Sequence, residues 1–346
     1  MKRLFYLQNG TAVTILPEGY NLFYVSERVD ATSSLSRYSF PGDSIQYDLD
    51  NLCVDLYDTF RDRVFNSPNE YYKDFGLQPQ WIMRAGLDSD FDMPKEQLEE
   101  CFSTPIHERM LKHGIHDKNL LAKYQEIESQ KFKYAYVADC QGMVNTLQEL
   151  LRGCHSAFIG FYKQLCTLPN EADMDGVYYA MGPDSRMAYS FLYSFIIQTY
   201  SSFDVLTKIA YELENIRTCE EAYAKLASSK MLYGDKKRLH MDVTGTIFEK
   251  CRAISIIENL RNELVHNSTW EMNPKIFITT NDGVVVERHI FFPDFTEEGT
   301  IVTYKNRKRF FSSGNKVNTE LPRLYFDVFQ RICMTLIKIL AKRPFY

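Results

Sequence analysis

The chain lacks most of the signatures that would place it at once. It has no Cys-x-x-Cys pair among its 8 cysteines, so neither a zinc ribbon nor a dithiol redox centre is expected. Cys53, Cys101, Cys140, Cys154, Cys166, Cys219, Cys251 and Cys333 are scattered, several on apolar helical faces, where a free thiol serves as a small hydrophobe. That usage predicts a reducing, cytoplasmic setting without disulfides. No uncharged apolar run approaches the ~18 residues of a membrane span. The opening MKRLFYLQNGTAVTIL is interrupted by Gln8–Asn9–Gly10, well short of a signal-peptide core. Gly-x-Gly-x-x-Gly, P-loop, His-Glu-x-x-His and Gly-x-Ser-x-Gly motifs are also missing, which removes the usual nucleotide-binding, metalloprotease and hydrolase readings.

What is present describes a folded, aromatic-rich chain of 346 residues, 45% hydrophobic and 25% charged, with 23 Tyr and 24 Phe. Its net charge is −5, unevenly spread. Residues 1–117 hold 19 acidic and 11 basic side chains, a net of −8; the remainder holds 26 and 29, a net of +3. The back of the chain is therefore the expected partner of a polyanion.

Hydrophobic periodicity predicts an acidic α+β region over 1–117 and a helical region over 118–346. In the first, Leu4–Gln8 and Thr11–Leu16 read as a hairpin around Asn9–Gly10, the dipeptide suited to a two-residue type I′ turn. Asn21–Val25 reads as a further strand, 66–94 as loop, and Pro94–Phe102 and Pro105–Lys112 as short helices. A helix is predicted over 50–65 from Leu52, Val54, Leu56, Phe60 and Val64. In the second region four long helical stretches are expected: 120–166 with Gly142, Gly153 and Gly160 as weak points, 184–213 capped by Asp184, 246–266 capped by Asp242 or Thr244, and 318–342 capped by Asn318 or Thr319. A β-rich insertion over about 272–312 separates the last two. Lys275–Thr280 and Val284–Ile290 flank the turn sequence Asn281–Asp282–Gly283, and Gly299–Tyr304 adds a strand.

One stretch carries candidate chemistry: ENLRNELVHNSTW, residues 258–270. Arginine and histidine with four residues between them is a common spacing, and Arg109 with His116 supplies a decoy across the helix-breaking Gly114. Context separates the pairs. Arg261 and His266 close an amphipathic helix whose apolar stripe is Ile247, Cys251, Ile254, Ile257, Leu260 and Leu264. Glu258, Asn262 and His266 recur every four residues as a polar ridge, with Arg261 on its flank. A histidine at a helix C-terminus stands where the macrodipole favours imidazolium, and it titrates near neutrality. The structural alternative is a pair that caps carbonyls or meets Glu258 or Glu263.

LRNELVHN resembles the R-x4–6-H signature of HEPN domains (higher eukaryotes and prokaryotes nucleotide-binding), including the polar residue after the arginine. The resemblance covers roughly residues 118–346. It implies a mainly α fold, a HEPN-like four-helix bundle with a β-hairpin insertion preceded by the smaller α+β region. It also implies metal-independent endoribonuclease activity with no cofactor, in a toxin or antiviral protein, with two motifs meeting in a homodimer. His266 would move the proton of the ribose 2′-OH or of the leaving 5′-oxygen. Arg261 would neutralise charge on the pentacoordinate phosphate, and Asn262 would orient one or the other. The products would be 2′,3′-cyclic phosphate and 5′-OH ends. The alternative is a non-catalytic HEPN-like protein, RNA- or nucleotide-binding or a scaffold, in a larger complex.

Supporting candidates are Glu258 on the ridge and Asp204, on the preceding long helix, as an orienting carboxylate for Arg261. Lys305, Arg307, Lys308 and Arg309, within KNRKRFF, mix cations with aromatics and read as an RNA contact, or as a solvated strand end. Lys236–Lys237–Arg238 with His240 forms a second basic patch, more consistent with ordinary surface. His107, His113 and His116 cluster at spacings unsuited to metal binding. The expected partners are RNA, a second copy of the chain and a regulatory protein or antitoxin, with no membrane.

Overall fold

A computed structural model describes residues 4–6, 12–14, 43–65, 116–129, 131–166, 175–217, 239–312 and 314–341, with isolated positions between 96 and 114. The described chain is mostly helical. Its elements are strands β1 (Leu4–Tyr6) and β2 (Ala12–Thr14), helices α1 (Asp43–Phe65), α2 (Lys118–Ser129) and α3 (Lys131–Cys166), strand β3 (Gly176–Ala180), helices α4 (Pro183–Glu214) and α5 (Arg252–Asn267), strands β4 (Ile276–Asn281), β5 (Val284–His289), β6 (Thr303–Tyr304) and β7 (Arg307–Lys308), and helix α6 (Val317–Ala341). Among the described residues no helix is long and apolar enough to cross a membrane. The chain divides into two compact units, one of residues 1–50, 149–203 and 242–338, the other of 51–148, 204–241 and 339–346.

The second unit is organised around Glu212, fully buried near the end of α4. A carboxylate cannot be desolvated alone, and Arg217 grips it with two bonds of 2.8 and 3.1 Å while the Tyr136 hydroxyl donates at 3.0 Å. Burial pushes the Tyr136 phenol and the nearby Cys140 thiol far up, so both stay neutral. Arg63 Nη1 donates to the Leu213 carbonyl at 2.9 Å and satisfies a helix C-terminal acceptor. The stripe that α1 buries is Leu49, Cys53, Leu56, Phe60 and Val64. Cys53 thus takes the place expected for a larger apolar residue, and Val54 is exposed.

The first unit packs the later part of α3 and the earlier part of α4 with α5 and α6. Two of the expected weak points are packing devices. A Cβ on Gly153 would collide with the Gln198 side chain and one on Gly160 with the Phe191 ring, so glycine lets α3 and α4 approach closely. Helix is described over Lys118–Ser129 and Lys131–Cys166, and Gly142, Gly153 and Gly160 all lie inside the second stretch. Tyr325 stacks on Phe158 at 4.5 Å and on Phe329 at 4.2 Å, and its hydroxyl shares a 2.9 Å hydrogen bond with buried His155.

Helix α6 holds Pro322 in its second turn. Proline lacks the N–H that would meet the carbonyl four residues earlier, at Asn318. The buried Tyr162 hydroxyl donates to that carbonyl at 3.1 Å and replaces the missing donor. The helix begins at Val317, so Asn318 and Thr319 lie inside its first turn rather than capping it. Asp184 likewise lies inside α4, behind Pro183 at the first helical position, and accepts a 3.1 Å bond from Gln164.

The helix expected from Thr246 begins only at Arg252. Asp242 does make a cap-like turn, accepting from the Thr244 amide and hydroxyl. The chain then turns at Gly245 (φ 71°) and is clamped to α6. Arg331 bonds Glu249 and the Thr246 carbonyl, Thr335 accepts from the Ile247 amide, and Lys338 bonds Asp242.

Strands β3, β4 and β5 form an antiparallel sheet in that order. Asp282 (φ 52°) and Gly283 (φ 71°) supply the type I′ turn between β4 and β5, as the turn sequence predicts. β3 was not anticipated. The strand expected over Gly299–Tyr304 shortens to Thr303–Tyr304, paired with Arg307–Lys308. In the first hairpin Leu4, Phe5 and Tyr6 pair with Thr14, Val13 and Ala12, and the expected Asn9–Gly10 turn itself lies outside the described residues. The expected strand 21–25, the loop 66–94 and most of the short helices at 94–112 lie outside the described residues.

Tyr162→Phe is expected to cost about 1–3 kcal/mol, the penalty of an unsatisfied buried acceptor. In a Pro322→Ala background, where the restored N–H can reach Asn318, the same change is expected to cost much less. A denaturant-based double-mutant cycle with no coupling between the two positions would refute this account.

Candidate nucleic-acid site on α5

Helix α5 buries Ala253, Ile254, Ile256, Ile257, Leu260 and Leu264 along one side. The ridge predicted opposite rises toward solvent: Glu258 is half-buried, while Asn262 and His266 are exposed. Positions four apart on a helix have Cβ atoms about 5–6 Å apart, so Asn262 lies directly beneath His266.

Arg261 is half-buried on the flank of this ridge. Its guanidinium carbon stands 4.7 Å from the ring centroid of Tyr200 on α4, a cation–π contact. Nη1 donates to Asn262 Oδ1 at 3.1 Å. The guanidinium therefore lies over an aromatic ring and bonds the neighbouring carboxamide through Nη1, two contacts that restrict where its remaining N–H donors point. Sequence reasoning placed Asp204 opposite Arg261. Asp204 is half-buried on α4, one turn beyond the residue that meets Arg261. Tyr200 was not foreseen, because a tyrosine on an apolar helix gives no local sign of facing a cation.

The end of α5 is fixed by aromatic packing. Ser268 terminates the helix at φ 66°. Trp270 then packs edge-on against Tyr193 at 5.3 Å and near Tyr189 and Phe292, while its indole N–H donates to the Phe291 carbonyl at 3.3 Å. The Tyr193 hydroxyl bonds Thr269. Burial pushes the Tyr193 phenol up to about 12, so it remains a neutral hydrogen-bonding anchor.

Glu263, between Arg261 and His266, is expected as a partner of that pair and instead meets cations of the insertion. It is 5% exposed. Asn267 donates to its Oε2 at 3.0 Å, Arg309 approaches to 3.2 Å and Lys308 to 3.6 Å. Two of the four cations nominated in KNRKRFF are thus drawn onto the motif helix itself. The insertion touches α5 again near its start. Arg252 Nη1 donates to the Thr296 carbonyl at 2.6 Å, and a Cβ on Gly299 (φ 86°) would strike the Arg252 carbonyl. The insertion is therefore fastened alongside α5 from its first turn to its fourth.

Tyr304 opposes Arg307 and Thr303 opposes Lys308 across the short β6–β7 ladder. Side chains alternate faces, so Lys308 turning toward Glu263 leaves Tyr304 and Arg307 on the other face. Arg309 breaks the alternation with φ 70° and also turns to Glu263. Lys305 and Arg307 are exposed, with Lys305 Nζ 5.4 Å above the Tyr304 ring.

Other nominated groups lie apart from this arrangement or beyond description. His240 is exposed and 3.5 Å from Glu214; Lys236, Lys237 and Arg238 lie outside the described residues. His116 is exposed, and Arg109, His107 and His113 lie outside them. A cleft of about 240 Å³ near the start of α5 is floored by Ile256, Phe292 and Leu324, and its rim residues Arg252, Arg323, Glu320 and Asp327 balance in charge. No family model, curated protein or solved structure matches the chain.

Glu263→Gln preserves an acceptor for Asn267 but removes the charge that holds Lys308 and Arg309. Both cations reach solvent, so the expected loss is only about 1 kcal/mol. Amide exchange at residues 303–308 is expected to accelerate more than elsewhere, and exchange unchanged there would show that Glu263 does not hold the hairpin.

Proposed function

We propose that the chain is a HEPN-type, metal-independent endoribonuclease that acts as a homodimer. The observation that carries this reading is the presentation of Arg261. Tyr200 and Asn262 hold its guanidinium in one orientation on the helix end that exposes His266. A planar, pre-oriented guanidinium matches the non-bridging oxygens of a phosphodiester better than a mobile ammonium would.

The chemistry follows from these groups and the substrate. The RNA supplies its own nucleophile, the ribose 2′-oxygen, which forms a bond to phosphorus as the bond to the 5′-oxygen breaks. The 2′-oxygen loses a proton and the 5′-oxygen gains one. His266 transfers one of these protons, the role that an imidazole most often fills in such steps. Arg261 stabilises the negative charge that accumulates on the phosphorane oxygens. Asn262, bonded to Arg261 and lying under His266, sets the spacing of the two. The products are a 2′,3′-cyclic phosphate and a 5′-OH end. One Arg261/His266 pair supplies one proton-transfer group, and a second pair from another copy supplies the complementary acid or base.

In this reading α3 to α6 form the HEPN-like bundle, the strands between α5 and α6 are its insertion, and the acidic residues 1–117 regulate the site or receive a regulatory protein. Glu258 and Asp204 support the ridge and the arginine, and a toxin or antiviral role follows from the family resemblance.

Full-length protein is expected to cut RNA in the presence of excess chelator and to leave cyclic-phosphate ends. Substrate with 2′-deoxyribose at the scissile position should resist. His266→Ala is expected to reduce the rate about 10²–10⁴-fold and Arg261→Ala about 10²–10³-fold. Equal rates in wild type and both variants would sink the proposal, and RNA retained without any cyclic-phosphate product would establish the non-catalytic binding reading instead.

A further inference from the structure

The β6–β7 hairpin points to a specific way of holding substrate. We infer that it is a rigid finger for an unpaired RNA strand, with Tyr304, Phe310 and Phe311 stacking on bases and Lys305 and Arg307 neutralising phosphates. The proposal rests on the ribonuclease reading for its choice of nucleic acid, and it concerns binding rather than cleavage.

Charge complementarity is the first argument. Residues 303–312 read TYKNRKRFFS, with four cations and no acid, in a chain of net charge −5. Lys308 and Arg309 are committed to Glu263, which leaves the exposed Lys305 and Arg307 to meet an external anion. The cations nominated as a single patch thus separate into a pair that meets Glu263 and an exposed pair, Lys305 and Arg307, that does not.

Exposed aromatics are the second argument. Tyr304 is 62% exposed, Phe311 40% and Phe310 36%. Large aromatic surface left in water beside cations matches the surface of an unpaired strand, whose bases present open faces beside charged phosphates. A duplex hides those faces and offers only phosphates and groove edges, so it would leave the rings unused.

Rigidity is the third. The finger's two-residue turn has Lys305 at φ 45° and Asn306 at φ 65°, the type I′ geometry that closes a tight hairpin. At its base, Asp294 Oδ1 accepts from the Ser312 amide and hydroxyl and from Asn315 Nδ2, all within 2.8–2.9 Å. A strand bound on the finger would therefore enter at a fixed register relative to α5, because Glu263 belongs to the same helix as Arg261 and His266.

The test uses full-length protein carrying His266→Ala, which removes the proposed proton-transfer group and keeps the probe whole. Fluorescence anisotropy compares a labelled uridylate dodecamer with an RNA duplex of the same length. Tyr304→Ala is expected to weaken single-strand binding about 5–150-fold, the range for loss of one stacked base. Lys305→Asn with Arg307→Gln should weaken it further and flatten the dependence of log K on log salt by ~1.4, about 0.7 for each phosphate no longer neutralised. Asparagine is chosen at 305 because it tolerates the left-handed backbone there. Duplex binding should be weaker and insensitive to Tyr304→Ala. Unchanged single-strand affinity in these variants, a duplex bound as tightly as the single strand, or the absence of single-strand binding would each overturn the inference. Charge-only dependence, with Tyr304→Ala silent, would overturn it too. Finger-dependent binding in a protein that does not cut RNA would uphold this inference while removing the ribonuclease reading.

Discussion

The burial of one carboxylate governs the region around α5. Glu263 is nearly excluded from water on a helix whose neighbouring positions are given over to polar display. Desolvating a carboxylate without partners costs several kcal/mol. The partners here come from one turn along the same helix, Asn267, and from a hairpin more than 40 residues later in the chain, Lys308 and Arg309. A local polar residue thereby dictates a long-range contact. The hairpin has to lie along α5, and which of its cations face solvent follows from the alternation of side chains about Lys308.

The same helix is held from its other directions by groups of different chemistry. Aromatic faces around Trp270 fix where it ends, and the Arg252 and Gly299 contacts fix where the insertion begins to run beside it. The loop before it is clamped to α6 by Arg331, Thr335 and Lys338. α6 itself depends on Tyr162 to satisfy the carbonyl that Pro322 leaves open. These contacts leave Asn262 and His266 exposed, and they spare Arg261 for a ring face and a carboxamide.

Much of this was legible from residue order wherever the cause is local. The long helices follow from periodicity, and the β4–β5 hairpin from Asp282–Gly283, both of which adopt positive φ as that turn requires. The polar ridge of α5 follows from its spacing. Failures concentrate where distant residues decide. Asp242 has the chemistry of a helix cap and makes the expected turn, yet the helix waits ten residues because Gly245 and the α6 clamps hold the intervening chain. Gly153 and Gly160 look like helix breakers in one dimension, and become close-packing positions once Gln198 and Phe191 lie opposite. Tyr200 carries no local signal, and nothing local marks Glu263 as the acid that meets the hairpin cations. Their roles exist only because Arg261 and the hairpin cations arrive from elsewhere.

The division of cations in the insertion bears on how a site without its own metal would handle phosphate. Positive charge near a scissile bond is useful only if it is placed before the substrate arrives, since reorganising it later raises the barrier. On the proposed function, Arg261 would meet that requirement through Tyr200 and Asn262, and the finger through Glu263. A fully exposed basic tail would bind a polyanion as strongly at low salt, but it would leave the strand free to slide past His266. In the proposed arrangement, Lys308 and Arg309 give up their own phosphate contacts to Glu263. Their charge is exchanged for a fixed distance between the surface that holds the strand and the residues that act on it.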